Sequence, residues 1–286
     1  MERLAVICPV TQSANRLDHV ESWLPIAIAH NISVIIVHDY RDEETSVQLR
    51  NLLDRHQSEQ VVLIEGVFGS AGQARNAGLE RVKSEWVAFW DSDDDPDVEQ
   101  ISRLISKHKT SDVIIGQFKI CTRYQSGKTS IQTVKPTHKL LDVVTNPGLW
   151  RFIFRIEAIR GISFPSFPLG EDQAFLAQIC WSQQKVEYTN SICYTYFQGN
   201  PSQLTSDTLL IPRLHESIAF LESLLTRQYS DKNLIAAMML RQSLSVFRSI
   251  QRRNFLELLC RFIAIFRVSF QQTDRRMELL KQVFFG

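Results

Sequence analysis

Four acidic side chains fall within five residues directly after an apolar run, Trp86-Val87-Ala88-Phe89-Trp90-Asp91-Ser92-Asp93-Asp94-Asp95. An apolar strand that delivers carboxylates at its C-terminal end puts them where open α/β sheets bind ligands. Carboxylates two residues apart on a bending chain can approach one cation, and all-oxygen ligation suits Mg2+ or Mn2+. The same residues also read as a helix N-cap cluster ahead of Pro96-Asp97. A calcium loop is excluded by spacing, because its sixth position would be Pro96 where glycine is needed and its twelfth Ser102 where a glutamate is needed.

Upstream, Gly72-Gln73-Ala74-Arg75-Asn76-Ala77-Gly78 is a glycine-bearing segment opening a helix, which can hold an anion with Arg75 as charged donor. It is not a G-x-G-x-x-G fingerprint. Gly127-Lys128-Thr129 lacks the earlier glycine of a P-loop, since Thr122 stands there, and it lies in a hairpin. Downstream, Glu171 and Asp172 follow Gly170 in the first turn of a helix, where acidic side chains complement the helix dipole.

Short β-branched runs alternate with helical patterns through the first half, the signature of a parallel sheet covered by helices. Leu4–Cys8, Ser33–His38, Gln60–Glu65, Trp86–Trp90 and Val113–Phe118 read as strands. Asp42–His56, residues 71–82 and a segment capped by Asp97 and ending near Lys109 read as helices. Ile120–Tyr124 and Ser130–Val134 read as an antiparallel hairpin, residues 171–184 as a helix and Tyr188–Phe197 as a strand. Beyond Pro201 the pattern is helical to the end.

Composition sets the outer limits. With 286 residues, 44% hydrophobic and 22% charged, the chain can bury a real core. A formal net charge of +1 argues against nucleic acid as the main partner. Five scattered cysteines without C-x-x-C spacing fit reduced thiols in a cytoplasmic compartment better than disulfides or a zinc site. The N-terminus turns polar too soon for a signal peptide, and no apolar run approaches the ~18 residues of a spanning helix.

In combination the motifs are recognisable. A strand ending at Pro9 comes first, then His38-Asp39, Ala74-Arg75-Asn76-x-Gly78 and Phe89-x-Asp91-x-Asp93-Asp94. Trp150-Arg151-x-Ile153-Phe154-Arg155 and Phe164-Pro165-x5-Glu171-Asp172 follow, then Tyr194-x-Tyr196 and Ser202-x-x-Thr205. This order resembles the inverting family 2 glycosyltransferases over about residues 3–205. The resemblance implies an α/β GT-A fold: a mixed, mostly parallel sheet flanked by helices over residues 1–205, with a helical C-terminal extension over 206–286. It implies a nucleotide-sugar donor, UDP-linked, a bound Mn2+ or Mg2+, and a glycan or lipid-linked acceptor. Asp91-Ser92-Asp93 matches the D-x-D motif, with Asp93 the direct metal ligand and Asp91 its partner. Asp39 matches the residue that contacts the donor base, and Arg75 matches the arginine on the nucleotide side. Pro9, Val10 and Ser92 fall on the same donor side. Asp172 matches the catalytic base, and Glu171 would orient the acceptor or support it.

Two positions depart from the family pattern. Thr11-Gln12 replaces the usual Tyr-Asn after strand one, and His38-Asp39-Tyr40-Arg41 replaces Asp-Asp-Gly-Ser, leaving Tyr40 as a substitute stacking surface. Trp150, Arg151 and Arg155 either line the acceptor side or serve as a core tryptophan and two solvated arginines. A sugar-phosphate nucleotidyltransferase would carry a glycine-rich basic loop where Pro9-Val10-Thr11-Gln12 stands, and a degenerate glycan-binding protein would not need both Asp93 and Asp172. Residues 241–286 hold nine Lys/Arg against three Asp/Glu. Within them Asn254–Phe270 is thickly apolar, which fits burial against other helices, a peripheral helix on the inner membrane face or a dimer surface.

Overall fold

The computed structural model describes residues 3–11, 17–40, 42–123, 128–137, 140, 142–198, 213–227, 231–249 and 263. The Asn254–Phe270 segment lies outside the described residues, apart from Ile263. None of the described helices is long and apolar enough to cross a membrane.

The N-terminal strand β1 (Leu4–Val10) is buried along its whole length, as expected of a strand covered on both faces. It lies between β2 (Ser33–Asp39) and β4 (Trp86–Phe89), and β2 in turn pairs with β3 (Val61–Gly66). All three pairings are parallel, so each needs a crossover helix. These are α1 (Leu17–Ala29), α2 (Glu43–Arg55) and α3 (Ala71–Leu79). Asp42 caps α2 by accepting the Thr45 amide at 2.7 Å, and Ser70 caps α3 by accepting the Gln73 amide at 3.2 Å.

After β4 the sheet turns mixed. The two-residue β5 (Asp95–Pro96) leads into α4 (Val98–Lys107), capped by Asp97 as the spacing predicts. The strand β6 (Val113–Arg123) is followed by β7 (Thr129–Val134), β8 (Phe152–Arg155) and β9 (Val186–Gln198). The order across the sheet is β3-β2-β1-β4-β8-β6-β9-β5, with β7 on β6. β8 runs antiparallel to β4 and β6, while β6 and β9 are parallel. Trp23 of α1 meets Trp90 edge-on at 5.2 Å, both buried, in a core built from the sheet, α1 and α4.

The chain divides into two compact units: residues 1–136, 148–161 and 184–200, and residues 137–147, 162–183 and 201–286. The first holds the sheet. The second holds α5 (Asp142–Thr145), α6 (Glu171–Ala177), α7 (Leu214–Leu224) and α8 (Lys232–Ser249), with α6 packed on both α7 and α8.

Two expected elements differ from the structure. Strand five and the first hairpin strand are one strand, β6, because β9 pairs with it from Val113 to Thr122 across a bulge. The helix expected over 171–184 stops at Ala177: the Gln178 and Ile179 amides turn back three residues, to Phe175 and Leu176 carbonyls. Trp181 then seals the end, its indole N–H donating to the Leu176 carbonyl at 2.9 Å and its amide to Asp231 at 2.7 Å.

Candidate active site

From β1 the chain moves outward to β2 and β3, then returns on the other side of β1 to form β4. Such a switch point leaves a crevice at the C-terminal ends of the strands. Ile7 pairs with Phe89, the last residue of β4, so Pro9 and Val10 run on beside the acidic turn, still paired with Val37 and His38. Pro9, Val10, Asp39 and Asp91 therefore lie together at the C-terminal ends of neighbouring strands.

The acidic turn is built by hydrogen bonds. The Trp90 amide donates to the Ile7 carbonyl at 3.1 Å, and the Asp94 amide reaches back to the Asp91 carbonyl at 3.4 Å. The Asp91 amide donates to Tyr194 Oη at 2.9 Å, which ties the turn to β9. Asp91 Oδ1 accepts Arg75 Nη2 at 2.9 Å, with the arginine side chain only 6% exposed. Gly78 lets that arginine arrive: a Cβ there would stand 2.5 Å from Ile7 Cγ2, so only glycine lets α3 lie this close on β1.

The four acids then diverge. Asp91 and Asp93 are partly exposed and Ser92 is buried between them. Asp94 is fully buried, and its Oδ1 accepts the Phe197 amide at 2.7 Å. Burial, followed by the charges of Asp91 and Asp93, pushes the Asp94 carboxyl well above its usual range, against the Phe197 amide and the Tyr194 hydroxyl. Asp95 accepts His19 Nδ1 at 2.7 Å, and that hydrogen bond is the largest cause of a raised imidazole pKa. Asp94 and Asp95 thus serve β9 and α1. Accordingly, among the described residues no three His, Cys, Asp or Glu side chains gather as a complete metal site. The pair Asp91 and Asp93 fits Mg2+ or Mn2+ of the kind that takes one or two carboxylates and completes its shell with substrate phosphates and water. Cys8 lies buried near these acids; burial first, then the Asp91 and Asp93 charges, hold its thiol well above the usual range, which makes it a poor nucleophile.

At the end of β2, Asp39 is fully buried. Its Oδ1 accepts the Phe68 amide at 2.6 Å and the Gly69 amide at 3.2 Å, fastening the loop between β3 and α3. The adjacent Tyr40 is 42% exposed, with its hydroxyl donating to Glu43 at 2.9 Å. Its ring meets that of His38 edge-on at 5.9 Å.

Of the aromatic and basic trio, Arg151 is neither solvated nor at the surface. It is 1% exposed, with its guanidinium 4.8 Å from the Phe152 ring centre and 5.9 Å from that of Phe118. Arg155 sits 4.6 Å from the Trp86 ring centre, donates to the Ser111 and Lys109 carbonyls and pairs with Glu85. It is a clamp at the base of the sheet. Trp150 stacks on Tyr194 and Tyr196 at 4.8 and 5.5 Å. The Tyr194-x-Tyr196 alternation places both rings on one face of β9, and it was the one sequence signal for Tyr194. Neither its link to Asp91 nor the His19–Asp95 pair is visible in the sequence.

In the second unit Gly170 adopts φ +87°, and Glu171 and Asp172 open α6, both partly exposed. Gly170 supplies the turn that starts this short helix.

Three comparisons place this architecture among known proteins. The fold is of the GT-A type: it superposes on residues 1–349 of S. aureus TarS in complex with UDP-GlcNAc at a TM-score of 0.72, with 17% identity, over 98% of this chain and 90% of that one. A mannosyltransferase from Pyrobaculum calidifontis, in complex with GDP-Man and Mn2+, is similar at a TM-score of 0.59 and 14% identity, over 99% of this chain and 87% of that one. The family model described as glycosyl transferase family 2 matches residues 16–164, and the chain belongs to that family. A poly(ribitol-phosphate) beta-glucosyltransferase of Bacillus spizizenii is 24% identical over an alignment of 204 residues that covers 68% of this chain. The chain spans about a third (32%) of the length of that relative.

Proposed function

We propose that this glycosyltransferase works with inversion and metal assistance, moving a sugar from a UDP-linked donor to a glycan or lipid-linked acceptor. The observation that carries the proposal is the pair Asp91 and Asp93 at the switch point of the sheet, with Asp91 held by Arg75 at 2.9 Å. Asp93 and Asp91 would hold the cation, which neutralises the charge that develops on the departing nucleoside diphosphate. Arg75 orients Asp91 and adds positive charge on the donor side. Pro9, Val10 and Ser92 line that side through the backbone and the turn. Asp39 shapes the base end by fixing the loop at Phe68 and Gly69, and Tyr40 offers a ring for stacking.

Displacement with inversion needs one general base on the face of the sugar opposite the leaving group. Asp172 takes that role: its carboxylate accepts the acceptor hydroxyl proton as the oxygen attacks the anomeric carbon, and Glu171 orients the acceptor. UDP-GlcNAc in the TarS complex and the beta-glucosyltransferase name of the Bacillus relative support a UDP-sugar and a polymeric acceptor rich in hydroxyls. The nucleotidyltransferase alternative is disfavoured by Pro9-Val10-Thr11, where β1 runs on through Val10 and that class needs a glycine-rich basic loop.

The test is nucleoside diphosphate release and glycan transfer from a panel of UDP-sugars with Mn2+. Asp172→Asn is expected to lose about 10²–10⁴-fold in turnover while its donor affinity stays at the wild-type value. Near-full turnover in that variant would remove Asp172 as the base, and no metal-dependent UDP release in the wild type would remove the enzymatic reading.

A further inference from the structure

Glu171 and Asp172 stand on a helix of only seven residues, too short to hold its own direction. Two polar side chains from the C-terminal helices grip it from either side of that pair. Ser217 of α7, fully buried, donates through Oγ to the Gly170 carbonyl at 3.2 Å. Gln242 of α8, 2% exposed, donates through Nε2 to Ser217 Oγ at 2.9 Å and to Gln173 Oε1 at 3.2 Å. Residues 170 and 173 are thus tied to α7 and α8, and Glu171 and Asp172 are the two residues between them.

The contact is close as well as polar. A Cβ on Gly170 would stand 2.7 Å from Ser217 Oγ and 3.1 Å from Gln242 Nε2, so the glycine is required by its positive φ and by this approach together. The arrangement also carries a cost. Gln242 Oε1 is buried with no hydrogen-bond partner, a penalty that an apolar residue of similar size would avoid. Ser243 next to it satisfies its own hydroxyl on the Met239 carbonyl at 2.6 Å.

We infer that Ser217 and Gln242 are positioning residues that set the direction in which Asp172 presents its carboxylate, so that α7 and α8 belong to the catalytic apparatus. The inference rests on the reading of Asp172 as the general base. A displacement of about 1 Å at a reacting group can cost on the order of 10²-fold in rate, and the Ser217 and Gln242 hydrogen bonds fix the residues on either side of Glu171 and Asp172.

The experiment is a set of full-chain variants, Ser217→Ala, Gln242→Leu, Asp172→Asn and the doubles of each positioning variant with Asp172→Asn. Turnover, KM for donor and acceptor, and donor Kd with Mn2+ are read for each. Ser217→Ala and Gln242→Leu are expected to lower kcat by about 10- to 100-fold while donor Kd changes less than about twofold. In the Asp172→Asn background neither should lower the residual rate further, because the group they aim is gone. Wild-type kcat in both single variants, or losses that multiply in the doubles, overturns the inference. If Gln242→Leu does not fold, Ser217→Ala, which removes one oxygen, decides alone. An active Asp172→Asn would instead refute the base assignment, and it is read from the same set.

Discussion

Alanine at position 78 puts a methyl group where α3 rests on β1. Its Cβ would lie 2.5 Å from Ile7 Cγ2, 3.1 Å from Cγ1 and 3.3 Å from Cδ1. Carbon atoms in contact sit about 3.5–4.0 Å apart, so the helix must lift by about 1 Å or Ile7 must leave its rotamer. Overpacking of this kind costs about 1–3 kcal/mol, and the gain of alanine over glycine in a helix returns up to about 1 kcal/mol. The net expectation is a loss of about 1–2 kcal/mol, read as a lower urea midpoint at unchanged m-value. The same lift stretches the 2.9 Å Arg75–Asp91 contact, because Arg75 lies one turn earlier on α3. Nucleoside diphosphate affinity should therefore fall along with stability. In an Ile7→Ala background the clashing methyls are absent, and Gly78→Ala should cost little there, giving a coupling of about 1–2 kcal/mol. A Gly78→Ala protein as stable as wild type, or one equally destabilised with and without Ile7, would refute the reasoning.

Tyr194→Phe keeps the stack with Trp150 but removes the acceptor for the Asp91 amide; it should cost about 1–3 kcal/mol and raise the Mn2+ concentration at half-maximal activity, measured by urea unfolding and metal titration. His19→Gln tests the pair with Asp95. The folded-state pKa of His19 is raised above its usual 6.5, so its stabilising contribution is complete below that value and is lost as pH rises through the raised one. The difference in unfolding free energy between wild type and His19→Gln should therefore be largest near pH 6 and shrink by pH 9; because the pair is partly exposed, about 1 kcal/mol or less is expected.

How far the sequence reveals this molecule depends on the range of the contacts. β1 to β4 are legible because each is a short apolar run bounded by polar turns, and the acidic cluster is legible because its residues are neighbours in the chain. The helix α1 escapes sequence reading because Pro25 sits inside it, where a proline ordinarily marks a boundary. β8 has four residues, too few for periodicity to separate strand from helix. Arg151 and Arg155 read equally as acceptor-side residues or as solvated charges, because Phe118, Trp86 and Ser111, which they meet, are distant in sequence, and the adjacent Phe152 carries no sign of its contact with Arg151. The same holds at the site. Tyr194 reaches Asp91 across 103 residues, and Gln242 reaches Gln173 across 69, so neither role has a local signature. The C-terminal end of α6 is likewise set by Trp181 and Asp231, not by any residue inside the helix.

The measurement that bears most directly on the central claim is a thermal-shift titration of the wild type and Asp93→Ala with UDP and UDP-sugars, with and without Mn2+. At 100 times Kd a ligand stabilises by about 2.7 kcal/mol, enough to move Tm by several degrees. The wild type should be stabilised by UDP-sugar only when Mn2+ is present, and Asp93→Ala should lose that metal-dependent shift while keeping its own unliganded Tm. Equal shifts in both proteins, or none in the wild type under any metal condition, would contradict the assignment of Asp91 and Asp93 as the seat of the cation.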